Sequence, residues 1–116
     1  MAETATTMYD TLVSKLQSLS GVVFKEYEMR TRPDGNFGTV QIDFEAEIDN
    51  GDDGRQDRAF EGSVDLFTRG KEMTIVAAVE TALEKHCSGS WYLNSEQYEH
   101  ETGLIHREFV FQFEKR

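Results

Sequence analysis

Proline and cysteine each occur once in this 116-residue chain. With Cys87 alone, no intramolecular disulfide can form, and neither CxxC nor HExxH is present to suggest a zinc site. The single Pro33 argues against a Pro-rich linker or tail. Cations are also scarce: 12 Lys and Arg stand against 22 Asp and Glu, a formal net charge of −10. Unaided binding to nucleic acid phosphates needs clustered Lys and Arg, so that class is disfavoured. A polybasic membrane anchor is disfavoured for the same reason. No apolar run of about 18 residues exists, so no membrane-spanning helix is expected. The opening MAETATTMYD has no basic region followed by an apolar stretch, so no secretory signal is expected. A soluble protein of a reducing cytoplasm is the simplest expectation.

What is present is material for one core. Hydrophobic residues make up 38% of the chain, with eight Phe, four Tyr and one Trp. A chain of this length supports one domain, 1–116, without metal or disulfide help. Met8, Leu12, Leu16 and Leu19 recur at helical spacing, which predicts a helix over 5–19 that stops at Gly21. VVFKEYEMR (22–30) reads as a strand and TRPDGNFG (31–38) as a turn. TVQIDFEAEI (39–48) alternates apolar and polar residues without a break, and AFEGSVDLFT (59–68) returns as its antiparallel partner across the polar loop 49–57. Ile75, Val76, Val79, Ala82, Leu83 and His86 trace the stripe of a second helix over 73–86. Residues 90–100 and 104–114 form a hairpin around Gly103, which takes the left-handed position of its turn. The order αβββαββ predicts an α+β fold: a mainly antiparallel sheet of four to five strands with both helices on one face.

Chemistry-bearing motifs are few. Asp49, Asn50, Asp52 and Asp53, followed by Arg55, invite a calcium reading. An EF-hand loop, however, needs an acid or Asn at its third position and Glu at its twelfth, and these are Gly51 and Phe60. The segment reads instead as a solvated hairpin loop and a candidate docking loop. His86, Cys87, His100 and His106 are the soft ligands, but their spacing fits no metal motif. A Cys87 thiolate at a helix C-terminus is disfavoured, the reverse of nucleophile activation. No phosphate loop and no GxSxG appear. No catalytic residue, metal site or cofactor is expected.

The acidic strand face is the sharper feature. Alternation places Asp43, Glu45 and Glu47 on one side of their strand, beside Glu61, Ser63 and Asp65 of the next. Like charges set side by side repel, so a wet face usually mixes its signs. Five carboxylates without a Lys or Arg within 39–48 or 59–68 suggest three uses. They keep a face soluble, dock a basic partner, or form a wall past which DNA slides without being gripped.

The element order, with EGSVDLFTRG (61–70), VAAVETALEK (76–85) and WYLNSEQYEHETGLIHREFVFQF (91–113), resembles the small tail-terminator or tail-completion neck proteins of long-tailed bacteriophages. The resemblance spans nearly the whole chain and rests on VDLFT and the YExETGLxHxxFxF hairpin. It implies a structural role and no catalytic residues. Such proteins form a ring, commonly a hexamer, on the end of the tail tube, and present the surface that joins the head connector. DNA passes through the ring without specific binding. The implied partners are further copies of the chain, the tail tube protein and the head connector protein; no membrane is involved. The implied location is the virion, with host cytoplasm during assembly. Asp43, Glu45, Glu47, Glu61 and Asp65 would line the lumen or a contact face. The alternatives are a head-completion or connector protein, and a small acidic DNA mimic that inhibits a basic host protein.

Overall fold

The computed structural model describes residues 5–49, 56–87 and 90–115, with side chains at 8–43, 60–87 and 90–113. Helix α1 (Ala5–Gln17) leads into strands β1 (Val22–Glu26), β2 (Asn36–Asp49) and β3 (Gln56–Arg69). Helix α2 (Met73–His86) follows, then β4 (Trp91–Glu99) and β5 (Leu104–Lys115). The α+β class and the order αβββαββ match the sequence reading. The strands form one sheet, ordered β1-β2-β3-β5-β4.

Both helices lie on one sheet face. Leu12 and Leu16 of α1 and Val79 and Leu83 of α2 are fully buried, in one cluster with Val40, Val64, Leu66, Phe109 and Phe111. The spacing of these helix residues marks a single apolar stripe per helix, and burying it against the sheet is what stabilises each helix. Tyr9 sits against Phe111 and Phe113, with ring centroids 6.5 and 6.4 Å away. Gly62 supplies the room for this packing: a Cβ there would press into the Phe111 ring and the Gln41 carbonyl.

Local endings follow from backbone chemistry. Helix α1 stops two residues before the expected Leu19, where Ser18 N–H is shared between the Ser14 and Lys15 carbonyls and Gly21 turns at φ 80°. Strand β1 ends four residues earlier than expected. Tyr27 takes a left-handed φ of 70° and its N–H turns to the Val40 carbonyl. The expected turn 31–38 is correspondingly short, since Asn36, Phe37 and Gly38 already belong to β2.

The pairing of β1 with β2 is parallel, Val22 opposite Asn36 through Glu26 opposite Val40, while the other three pairs are antiparallel. Parallel neighbours normally need a crossover of a dozen or more residues, and here 27–35 suffice because β1 is only five residues long. Asn36 locks the crossover. Its Nδ2 donates to the Gly21 carbonyl and its Oδ1 accepts from Arg69 N–H. Arg69 Nε also donates to the Asp34 carbonyl. In the β4–β5 hairpin, Gly103 takes φ 74° as expected, with its N–H closing onto the Glu99 carbonyl.

Candidate partner-facing sheet surface

Directly opposed residues of an antiparallel pair share a face, so the register assigns each side chain to the helix side or to the open side. The open side carries Phe37, Thr39 and Gln41 of β2, opposite Phe67, Asp65 and Ser63 of β3. Beyond β3, the positions opposite Phe67, Asp65 and Glu61 are His106, Glu108 and Gln112 of β5.

The alternation of β2 breaks at Asp43. Ile42 stands opposite Gly62 and Phe44 opposite Glu61, so Asp43 is the extra residue of a β-bulge. One added residue shifts the register of everything beyond it. Glu45 falls in register with Phe60 and Glu47 with Arg58, not with Glu61 and Asp65. The unbroken pairing expected over 39–48 therefore shifts by one residue at Asp43. Asp49 ends β2 opposite Gln56. Asn50, Asp52, Asp53 and Arg55 of the expected docking loop lie outside the described residues.

The sheet order brings in acids that strand alternation within 39–68 does not reach. Because β5 lies beside β3, Asp65 stands directly opposite Glu108. Glu99 closes the same side at the end of β4, opposite Leu104. Four carboxylates of this surface are held by uncharged amides or by an imidazole. Gln41 Nε2 donates to Asp43 at 2.5 Å, Gln112 Nε2 to Glu61 at 3.0 Å and Asn94 Nδ2 to Glu108 at 2.7 Å. His106 Nε2 meets Asp65 at 2.7 Å. Amide donors orient a carboxylate without cancelling its charge, so the negative potential is fixed in place and kept.

His106 is the one titratable donor among them. Its ring stacks on Phe67, which stacks on Phe37, at centroid distances of 4.2 and 4.9 Å. Arg32 covers the Phe37 and Phe67 rings, 5.7 and 5.8 Å from their respective centroids. The hydrogen bond to Asp65 raises the His106 pKa above the ordinary imidazole value; burial opposes this, and the charges of Asp65, Glu99 and Glu108 add to it. The open side is thus an acidic field with a cationic and aromatic end, where Arg32 and Arg69 tie down the crossover.

Two further groups were not visible as partners in sequence. Arg107 lies on the helix side, almost fully buried, with Nε on Glu96 at 2.6 Å and Nη1 on Thr68 Oγ1 at 3.1 Å. The Thr68 hydroxyl in turn donates to the Gly70 carbonyl. Arg107 stands one period-2 step ahead of the row Phe109, Phe111, Phe113, and a cation in phase with that core-facing row was the available signal. Trp91 Nε1 donates to Glu84 at 2.5 Å and ties β4 to α2. Cys87 is fully buried at the end of α2, and burial pushes its thiol up to about 12. No group of three or more His, Cys, Asp or Glu arranged to hold a metal occurs among the described residues.

No protein-family model matches the chain, and no curated protein matches its sequence. Among solved structures it is similar to a chain of the structure described as "Virion of native gene transfer agent (GTA) particle". The match covers 99% of this chain and 98% of that one, at 11% identity and a TM-score of 0.53. At that identity the likeness is one of fold, and it extends over both chains from end to end.

Proposed function

We propose that the chain is a structural subunit of a phage-type particle: it caps the tail tube as a ring and forms the surface that joins head to tail. The observation that carries this reading is the full-length fold likeness to a component of a gene transfer agent virion. The open sheet side supports it in physical terms. A wall past which DNA moves must present negative charge without gripping phosphate. Asp43, Glu61, Asp65 and Glu108 supply that charge, and their amide and imidazole donors hold it in position. In this reading the chain has no catalytic centre, and Cys87, buried with its thiol raised to about 12, is a core residue.

Removal of the chain from a particle-producing host tests the proposal by electron microscopy. A tail cap leaves tubes of unregulated length when it is lost. Tubes of normal length beside heads that stay unjoined would instead assign a head-completion role. Unchanged, fully joined particles would overturn both. Charge reversal at Asp43, Glu61 and Asp65 together is expected to abolish productive particles, and full recovery of particles would contradict the lumen assignment.

A further inference from the structure

The sheet has two outer strands, β1 and β4, and among the described residues nothing pairs with the far side of either. An exposed strand edge is a template for pairing with another chain, and folds that avoid such pairing shield it. The β4 edge is nine residues long, contains no Lys, Arg or Pro, and exposes Tyr92, Leu93 and Tyr98 at 54, 45 and 55%. The β1 edge exposes Val23, at 46%, and Tyr27 follows at 57%.

Strand sense and charge choose how these edges meet. Strands β1, β2 and β5 run one way, and β3 and β4 the other. Copies placed head to tail, all with the same strand sense, therefore bring β4 of one against β1 of the next as an antiparallel pair. Their open sides stay on one surface and their helices on the other. Residues 91–103 hold Glu99, Glu101 and the Arg107-paired Glu96 and no Lys or Arg, while 22–32 hold Lys25 and Arg32 against Glu26, beside the Arg30–Glu28 pair. A two-fold junction of β4 with β4 would set acid against acid. The β4-to-β1 junction sets the acidic edge against the segment where cations outnumber acids. A junction between unlike edges is heterologous, and a heterologous junction closes into a ring when its rotation permits.

We propose that the chain self-associates head to tail by adding β4 of one copy to β1 of the next, so that the sheets join into one continuous wall. This deepens the ring reading and rests on it. In the wall, the acidic open sides of successive copies are contiguous, and each copy spans about 19 Å from outer strand to outer strand at the usual strand spacing.

Chains with one added cysteine test the junction. Val23→Cys marks the β1 edge, and Tyr92→Cys, Leu93→Cys and Tyr98→Cys, made separately, scan the β4 edge. Disulfide closure requires Cα atoms within about 7 Å, so only true neighbours react. Native Cys87 stays in place, buried and unreactive. Assembled rings are oxidised, dissolved and sized. A mixed disulfide is expected between the β1 variant and at least one β4 variant, with no product from either type alone. A chain carrying both cysteines should give a ladder that ends in a closed species. Homodimers of a β4 variant would show a two-fold junction and overturn the inference. Rings seen by microscopy without any mixed disulfide would place the junction elsewhere and leave the ring reading standing. Absence of rings, both in concentrated protein and on tail tubes, would overturn the ring reading together with this junction.

Discussion

Glu96 and Arg107 should respond unequally to removal, although they form one ion pair. Arg107 is 3% exposed and sits on the helix side opposite Leu66. Its pair with Glu96 spans 2.6 Å, and the Glu96 side chain is 52% exposed. Glu96→Ala leaves a buried guanidinium with only the Thr68 hydroxyl, and stranding one member of a buried pair costs about 3–5 kcal/mol. Water reaches the vacated Glu96 side, so partial rehydration brings the cost to or below the bottom of that range, about 2–3 kcal/mol. Arg107→Met instead replaces the buried charge by an apolar side chain of similar length. It leaves Glu96 free to hydrate and Thr68 still bonded to Gly70, and should cost less than about 1 kcal/mol. Urea unfolding of the two single variants and the double variant at pH 7 measures the difference and the coupling. In the double variant, adding Glu96→Ala to Arg107→Met should cost almost nothing further. If Glu96→Ala proves neutral, or Arg107→Met the more damaging of the two, the buried-charge reasoning is wrong.

Gly62→Ala drives a methyl group into the Phe111 ring and the Gln41 carbonyl, and should destabilise by about 1–3 kcal/mol or more in the same assay. Phe111→Leu in the Gly62→Ala background should recover part of that loss. His106 has a raised pKa in the folded chain. Its contribution to stability is therefore fully present below the ordinary imidazole value of about 6.5 and is lost as pH rises through the folded value. His106→Gln should flatten the fall in stability across that window; an unchanged slope would contradict the Asp65 bond as its cause. Thiol labelling at Cys87 in native protein should be far slower than in urea, because the side chain is fully buried and its thiol pKa is raised to about 12. Labelling at equal rates would refute that burial.

Periodicity made the architecture legible wherever one period ran unbroken. The stripe Ile75, Val76, Val79, Leu83 and the row Phe109, Phe111, Phe113 each pointed to the same buried side that the structure shows. What stayed hidden depended on partners distant in sequence. Nothing local in Val22–Glu26 says that it pairs in parallel, because the Asn36 bridge to Gly21 and Arg69 that holds the crossover exists only after folding. The bulge at Asp43 left no mark either, since TVQIDFEAEI alternates perfectly as text. The bulge appears when Gly62 and Glu61 of the partner strand are paired with Ile42 and Phe44. The acidic character was legible as a property of the chain, and the register puts Glu61 and Asp65 on the open side of β3. Glu108 and Glu99 of the same surface entered through the neighbourhood of β3 and β5, an order that sequence alone leaves open.

The most direct measurement is mass by light scattering across concentration, with electron microscopy of the same sample, free and after addition of tail tubes. A capping ring predicts closed rings with a central hole, formed in solution or on the tube end, and the Asp65–Glu108 side turned toward the hole. A chain that remains a monomer both in concentrated solution and in the presence of tubes, yet binds a basic host protein one to one, would contradict the ring and favour an acidic mimic.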